Sequence, residues 1–157
     1  MIKVNIVAVG KVKEKYFQDG IDEYSKRLQK FCQFNIIEIT EENYKTVDKS
    51  IINTIKEKEA DKIIPHLKGK IFAMAIEGKK ISSQDFSGIL KDVADNGGGV
   101  VTFVIGGSYG LSDRVKRIAN GLLSFSEMTF PHTLFRLMLS EQIYRGFSIL
   151  SGNAYHK

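Results

Sequence analysis

The chain has 157 residues, 43% hydrophobic and 26% charged, the balance of one globular domain (residues 1–157) with room for a real core. Its formal net charge of +5 is compatible with a polyanionic partner and too small to demand one. The single cysteine, Cys32, excludes an internal disulfide and fits a reducing compartment; no apolar run approaches the ~20 residues that span a bilayer, so a cytoplasmic protein with no membrane partner is expected.

The N-terminal MIKVNIVAVGK opens directly on a strand pattern with no leader segment, and Ile2–Val9 reads as a strand ending at Gly10. Phe17, Ile21, Tyr24, Leu28 and Phe31 then recur at helical spacing and mark one apolar helix face. Phe34–Ile39 is a second strand, and the polar run Thr40–Asp48 a loop. A charged helix follows over Lys49–Leu67, ended or kinked near residue 64 by Pro65.

Lys70–Ile76 reads as a third strand closed by Glu77-Gly78-Lys79. Ser82 with Asp85 three residues on has the form of a capping box, ahead of a helix face of Phe86, Ile89, Leu90 and Val93. Val100–Ile105 is apolar and β-branched apart from Thr102, the pattern of a central strand covered on both faces. Ser112 caps a short helix, Leu122–Phe125 is one more strand, and a last helix runs from Pro131 to about Leu150. Strands alternating with helices predict an α/β fold, a mostly parallel sheet with helices on both faces. The last helix is apolar nearly all round, so one face is expected to meet a second copy by two-fold symmetry.

Three strand ends draw attention as a binding crevice. FVIGGSYGLS, residues 103–112, stops a β-branched run at paired glycines, where backbone can approach a ligand. The glycine order does not match the dinucleotide fingerprint, and no Walker pattern exists at Gly10-Lys11 or Gly78-Lys79. Ala75–Lys79 follows the third strand and Leu123–Pro131 the fifth; if these strands are neighbours, the three loops converge. His66, His132 and His156 lack metal spacing, and no zinc site is expected. Glu141 and Arg145 have the spacing of an intrahelical pair, and Tyr155-His156-Lys157 either frays or stacks on a base.

VAVGK near the start, FVIGGSYGL, LSFSEMTFPH, EQIYRGF and the terminal AYHK together resemble the RlmH family of bacterial large-subunit ribosomal RNA methyltransferases, from Met1 to Lys157. The resemblance implies a SPOUT-like fold with a C-terminal trefoil knot, and a homodimer through the C-terminal helix. It also implies S-adenosyl-L-methionine as cofactor, no metal, and methylation of N3 of a pseudouridine in 23S rRNA on the assembled ribosome. Carried over by position, Met74, Gly106, Phe125, Ser126, Glu127, Met128, Thr129 and Phe130 hold the cofactor. Ala75 stands where many relatives are expected to carry an acid, a role that would pass to Glu77. Removing the N3 proton calls for nearby cations or a base, and Arg136, Arg145, Tyr155 and His156 are the catalytic candidates. Lys11, Lys13, Lys15, Arg114, Lys116 and Arg117 are candidates for ribosomal phosphates, against the simpler reading of a solvated surface. The competing readings are another SPOUT RNA methyltransferase, such as one acting on a tRNA ribose, and a non-catalytic ribosome-binding factor.

Overall fold

β1 (Lys3–Val9) is buried at every position after Lys3, as a strand must be when both its faces and both its edges are covered. In the computed structural model, which describes Met1–Lys157, it sits between β2 (Gln33–Ile39) and β4 (Val100–Ile105) in a five-stranded sheet of order β2-β1-β4-β3-β5. Every pairing is parallel, with Val4 opposite Val101 and Val7 opposite Val104. β4 is equally buried, and its one hydroxyl, Thr102, donates to the Lys68 carbonyl at 2.7 Å, which removes the cost of an unpaired polar group.

Parallel pairing forces helical crossovers, and they cover both faces. α1 (Lys15–Leu28), α3 (Ser83–Asp95) and α5 (His132–Ser151) pack on one side around Ile6, Phe103, Phe86, Leu90, Leu139 and Ile143. α2 (Lys49–Ile63) and α4 (Asp113–Ile118) cover the other, around Val7, Val104, Ala60, Ile63 and Val115. Strand alternation sends Ile6 to the first core and Val7 to the second. Pro65 ends α2 in a short 3-10 turn over Ile64–His66. The capping box at Ser82 and Asp85 has both its hydrogen bonds. Cys32 is fully buried, and burial pushes its thiol up to about 12, which leaves it a small hydrophobe.

β3 differs from the sequence reading. It runs Lys70–Lys80, past the Glu77-Gly78-Lys79 that looked like its closing turn. Met74 and Lys79 both lie opposite Leu123 of β5 (Gly121–Ser124), so the residues between them bow out and the chain returns to the same partner. Gly78 makes that return possible: a Cβ there would stand 2.6 Å from the Leu122 carbonyl carbon. α5 begins at His132 after an N-cap Pro131, as read, and ends at Gly152 in the left-handed conformation.

Candidate active site

Because all strands are parallel, the loops after β3, β4 and β5 leave the same edge of the sheet, where ligands of such sheets bind. They enclose a cleft of about 810 Å³. Met74, Gly106, Phe125, Ser126, Met128, Thr129 and Phe130 all line it. Glu127 does not: it turns to solvent and pairs with Lys80 at 2.6 Å.

The glycine loop is built by close backbone approach. A Cβ on Gly106 would lie 2.7 Å from the Gly110 carbonyl carbon, and one on Gly107 3.0 Å from a Val9 methyl. The Gly110 amide donates to the Gly107 carbonyl, and Gly110 takes φ +82°. Gly107 and Gly110 face each other in an antiparallel bridge, while the amides of Gly106, Ser108 and Tyr109 make no bond within the chain. The loop after β5 is held by Ser124, whose hydroxyl donates to the Ser126 carbonyl, and by Ser126, whose hydroxyl accepts from the Met128 amide. Phe125 is anchored by Phe86 and Phe135, with ring centroids 6.1 and 5.0 Å away. An apolar floor beside unpaired main-chain donors suits a flat heterocycle with a polar edge.

Three features of the cleft were not legible in the sequence. Glu77 and Lys116 form a 2.6 Å ion pair on its wall, and Lys116 holds the Glu77 carboxyl below its ordinary range. Lys56 of α2 lines the same wall. Beneath the glycine loop, Glu59 is 3% exposed; its carboxylate accepts from the Glu42 amide at 3.1 Å and lies 3.4 Å from where a Gly107 Cβ would stand. Burial, ahead of every other cause, raises its pKa. The packing of α2 and α4 beside the end of β3 puts these residues there, and their spacing carried no signal of it.

The four catalytic candidates fall in two places. Arg136 is 3% exposed, pairs with Glu38 at the end of β2, and donates to the Gly10 carbonyl at 3.0 Å. It is a buried strut between α5 and the ends of β1 and β2. Arg145, Tyr155 and His156 gather around Glu141. Arg145 pairs with Glu141 at 2.7 Å, and its guanidinium lies 4.8 Å from the Tyr155 ring centroid. Arg145 carries no acceptor, so His156 Nδ1, 3.1 Å away, accepts from it. The Gln84 side-chain nitrogen lies 3.0 Å from His156 Nε2 on the other side of the ring. Within one chain this group is remote from the cleft: Arg145 is 13 residues along α5 from cleft-lining His132, or about 20 Å at 1.5 Å per residue.

Between α1, α3 and α5 lies a second groove, of about 560 Å³, lined by Leu134, Leu137, Met138 and Phe86, with Tyr24 and Glu141 at its edge. It is the half-exposed remainder of the all-round apolar helix. No helix is long and apolar enough to cross a membrane, and no cluster of three or more His, Cys, Asp or Glu is placed to hold a metal ion.

A family model described as "Predicted SPOUT methyltransferase" matches residues 2–156. Among curated proteins, Ribosomal RNA large subunit methyltransferase H of Clostridium botulinum strain Langeland is 50% identical over 99% of this chain and 100% of its own length. The protein of the same name from Clostridium acetobutylicum is 48% identical over the same shares. Among solved structures, a probable methylase family protein from Haemophilus influenzae matches with TM-score 0.53 at 11% identity, over 99% of this chain and 70% of its own. A probable methyltransferase from Bordetella pertussis matches at 0.54 and 9%, over 91% and 93%. At such identities these two speak for the fold alone. On the family match and the full-length identity, the chain belongs to the SPOUT methyltransferases.

Proposed function

We propose that this protein transfers a methyl group from S-adenosyl-L-methionine to N3 of a pseudouridine in 23S rRNA on the assembled ribosome. The observation that carries the reading is the convergence of Met74, Gly106, Phe125, Ser126 and residues 128–130 on one cleft with unpaired amides and an apolar floor. The cleft suits the cofactor: its volume lies within the roughly 300–1,000 Å³ of small-ligand sites, and its donors are main-chain groups. The rRNA substrate is supported by the printed name of the relatives, matched from end to end.

When bound, the cofactor supplies an electrophilic methyl on a sulfonium. Met74 and Phe125 would pack against its apolar parts, and the amides of the glycine loop and of the loop after β5 would hold its polar edge. Alignment of this kind is worth up to about 7–11 kcal/mol in ideal cases. The remaining task is loss of the N3 proton, and a cation beside the nitrogen lowers its cost. Arg145 and His156 are the groups for that task, with Tyr155 as a stacking surface. Arg136 keeps a role in holding the edge of the site.

The distance between those groups and the cleft of the same chain supports a homodimer. Two copies packed through the groove of Leu134, Leu137 and Met138, with α5 against α5, bring one copy's tail toward the other's cleft. The trefoil knot of the C-terminal segment belongs to the same proposal. No membrane-spanning helix and a ribosomal substrate together support a cytoplasmic location.

The test is incubation of purified ribosomes from a strain lacking the gene with labelled cofactor, followed by nucleoside analysis of the 23S rRNA. One labelled N3-methylpseudouridine per particle is expected. Label on a ribose or on tRNA, or none, overturns the assignment.

A further inference from the structure

The loop between β1 and α1, Gly10 to Glu14, is held in place at several points. Arg136 donates to the Gly10 carbonyl at 3.0 Å, the Gln18 side-chain amide donates to the Val12 carbonyl, and Val12 is 7% exposed. Gly10 takes φ +92°, which other residues resist. A Cβ on it would also meet the cleft-lining His132 ring at 3.0 Å. Holding this loop requires a nearly fully buried guanidinium whose Nε has no partner within the chain. The guanidinium is itself fixed by its ion pair with Glu38, so the Gly10 carbonyl is held by a group that has little freedom to move.

The loop presents Lys11 and Lys13, both exposed, on either side of the buried Val12. Neither has a carboxylate partner, whereas Lys15, Arg114 and Lys116 are paired with Asp19, Glu57 and Asp61, and Glu77; Arg117, likewise without one, lies on α4. β1 is the immediate neighbour of β4, Val9 packs on Gly107, and Gly10 stands against the cleft-lining His132, so the loop that carries Lys11 and Lys13 begins beside the cleft. A polyanion whose base must reach that cleft passes this rim.

Building on the RNA methyltransferase reading, we infer that Lys11 and Lys13 form a preorganised phosphate-contact site that seats the ribosomal RNA backbone at the mouth of the cofactor cleft. Phosphate contacts of this kind position the substrate and carry no base information. Their removal therefore weakens substrate capture and leaves the chemical step alone.

The test compares the wild-type protein, the double variant Lys11→Gln/Lys13→Gln, and Lys62→Gln/Lys91→Gln. The last removes the same charge from lysines paired with Glu42 and Asp95. Binding to ribosomes from the deletion strain is measured by co-sedimentation from low to moderate salt, and methyl transfer under saturating cofactor. For Lys11→Gln/Lys13→Gln, KM for ribosomes is expected to rise at least about fivefold, with kcat within twofold. Each lost contact lowers the slope of log affinity against log salt by about 0.7–0.9. The paired-lysine control keeps the wild-type slope. If the Lys11/Lys13 variant binds and turns over like wild type, or the control loses as much, the inference is overturned while the methyltransferase reading stands. If the wild-type protein neither binds nor methylates ribosomes, both fall.

Discussion

The Tyr155 hydroxyl donates to Glu141 Oε2 at 2.8 Å and sits 3.1 Å from the Tyr24 hydroxyl, so the penultimate turn of chain is pinned to α5 and α1. The tail is therefore shaped before any substrate arrives. Burial, then the bonds to Tyr24 and Glu141, push the phenol above its ordinary range, which makes Tyr155 a neutral surface and not a base. Deletion of Tyr155–Lys157 is expected to lower kcat by about 100-fold or more, the scale of a lost proton-transfer partner, with cofactor affinity little changed. Single-turnover kinetics with calorimetry check this; near-normal turnover removes the tail from the mechanism.

Gly106 faces backbone at 2.7 Å, and backbone does not yield as a side chain does. Gly106→Ala is expected to distort the loop amides and weaken cofactor binding by at least about tenfold, or about 1.4 kcal/mol. Gly78→Ala meets the Leu122 backbone at 2.6 Å and is expected to cost about 1–3 kcal/mol of stability, as overpacking does. Calorimetry and urea unfolding separate the two effects.

Leu134 and Met138 lie one turn apart on the half-exposed face of α5. Leu134→Lys/Met138→Lys is expected to yield a monomer by light scattering, with circular dichroism retained and methyl transfer lost. A dimer that persists moves the interface elsewhere.

Glu59 binds its proton more readily in the folded chain than in the unfolded one, because burial disfavours the carboxylate. Its contribution therefore lowers stability as pH rises from the ordinary carboxylate range through the folded pKa, and is constant above it. Glu59→Gln keeps an acceptor for the Glu42 amide and removes the charge. Its thermal midpoint is expected to exceed the wild type's at pH 8 and to converge on it toward pH 4. A difference independent of pH contradicts this account of Glu59.

The sequence displayed what local chemistry writes. The β-branched runs of β1 and β4, the capping box at Ser82 and the all-round apolar α5 follow from neighbours in the chain. The extension of β3 to Lys80 did not show, because it depends on β5 returning beside it about 45 residues later. The grouping of Met74, Gly106, Phe125, Ser126 and residues 128–130 was legible, since strand ends of a parallel sheet share an edge; the turn of Glu127 out to Lys80 was not. Arg136 was not: its partners, Glu38 in β2 and Gly10 just after β1, lie 98 and 126 residues away, and a buried strut reads the same as a catalytic cation. The gap between cleft and tail likewise appears only when α5 is placed against the sheet.

The central claim, that three main-chain loops grip a methyl donor, is tested most directly by titrating the protein with S-adenosyl-L-methionine in a calorimeter, and in parallel with its demethylated product. The account predicts saturable heat with both, strongly reduced in Gly106→Ala. No heat with either, or undiminished heat in that variant, contradicts it.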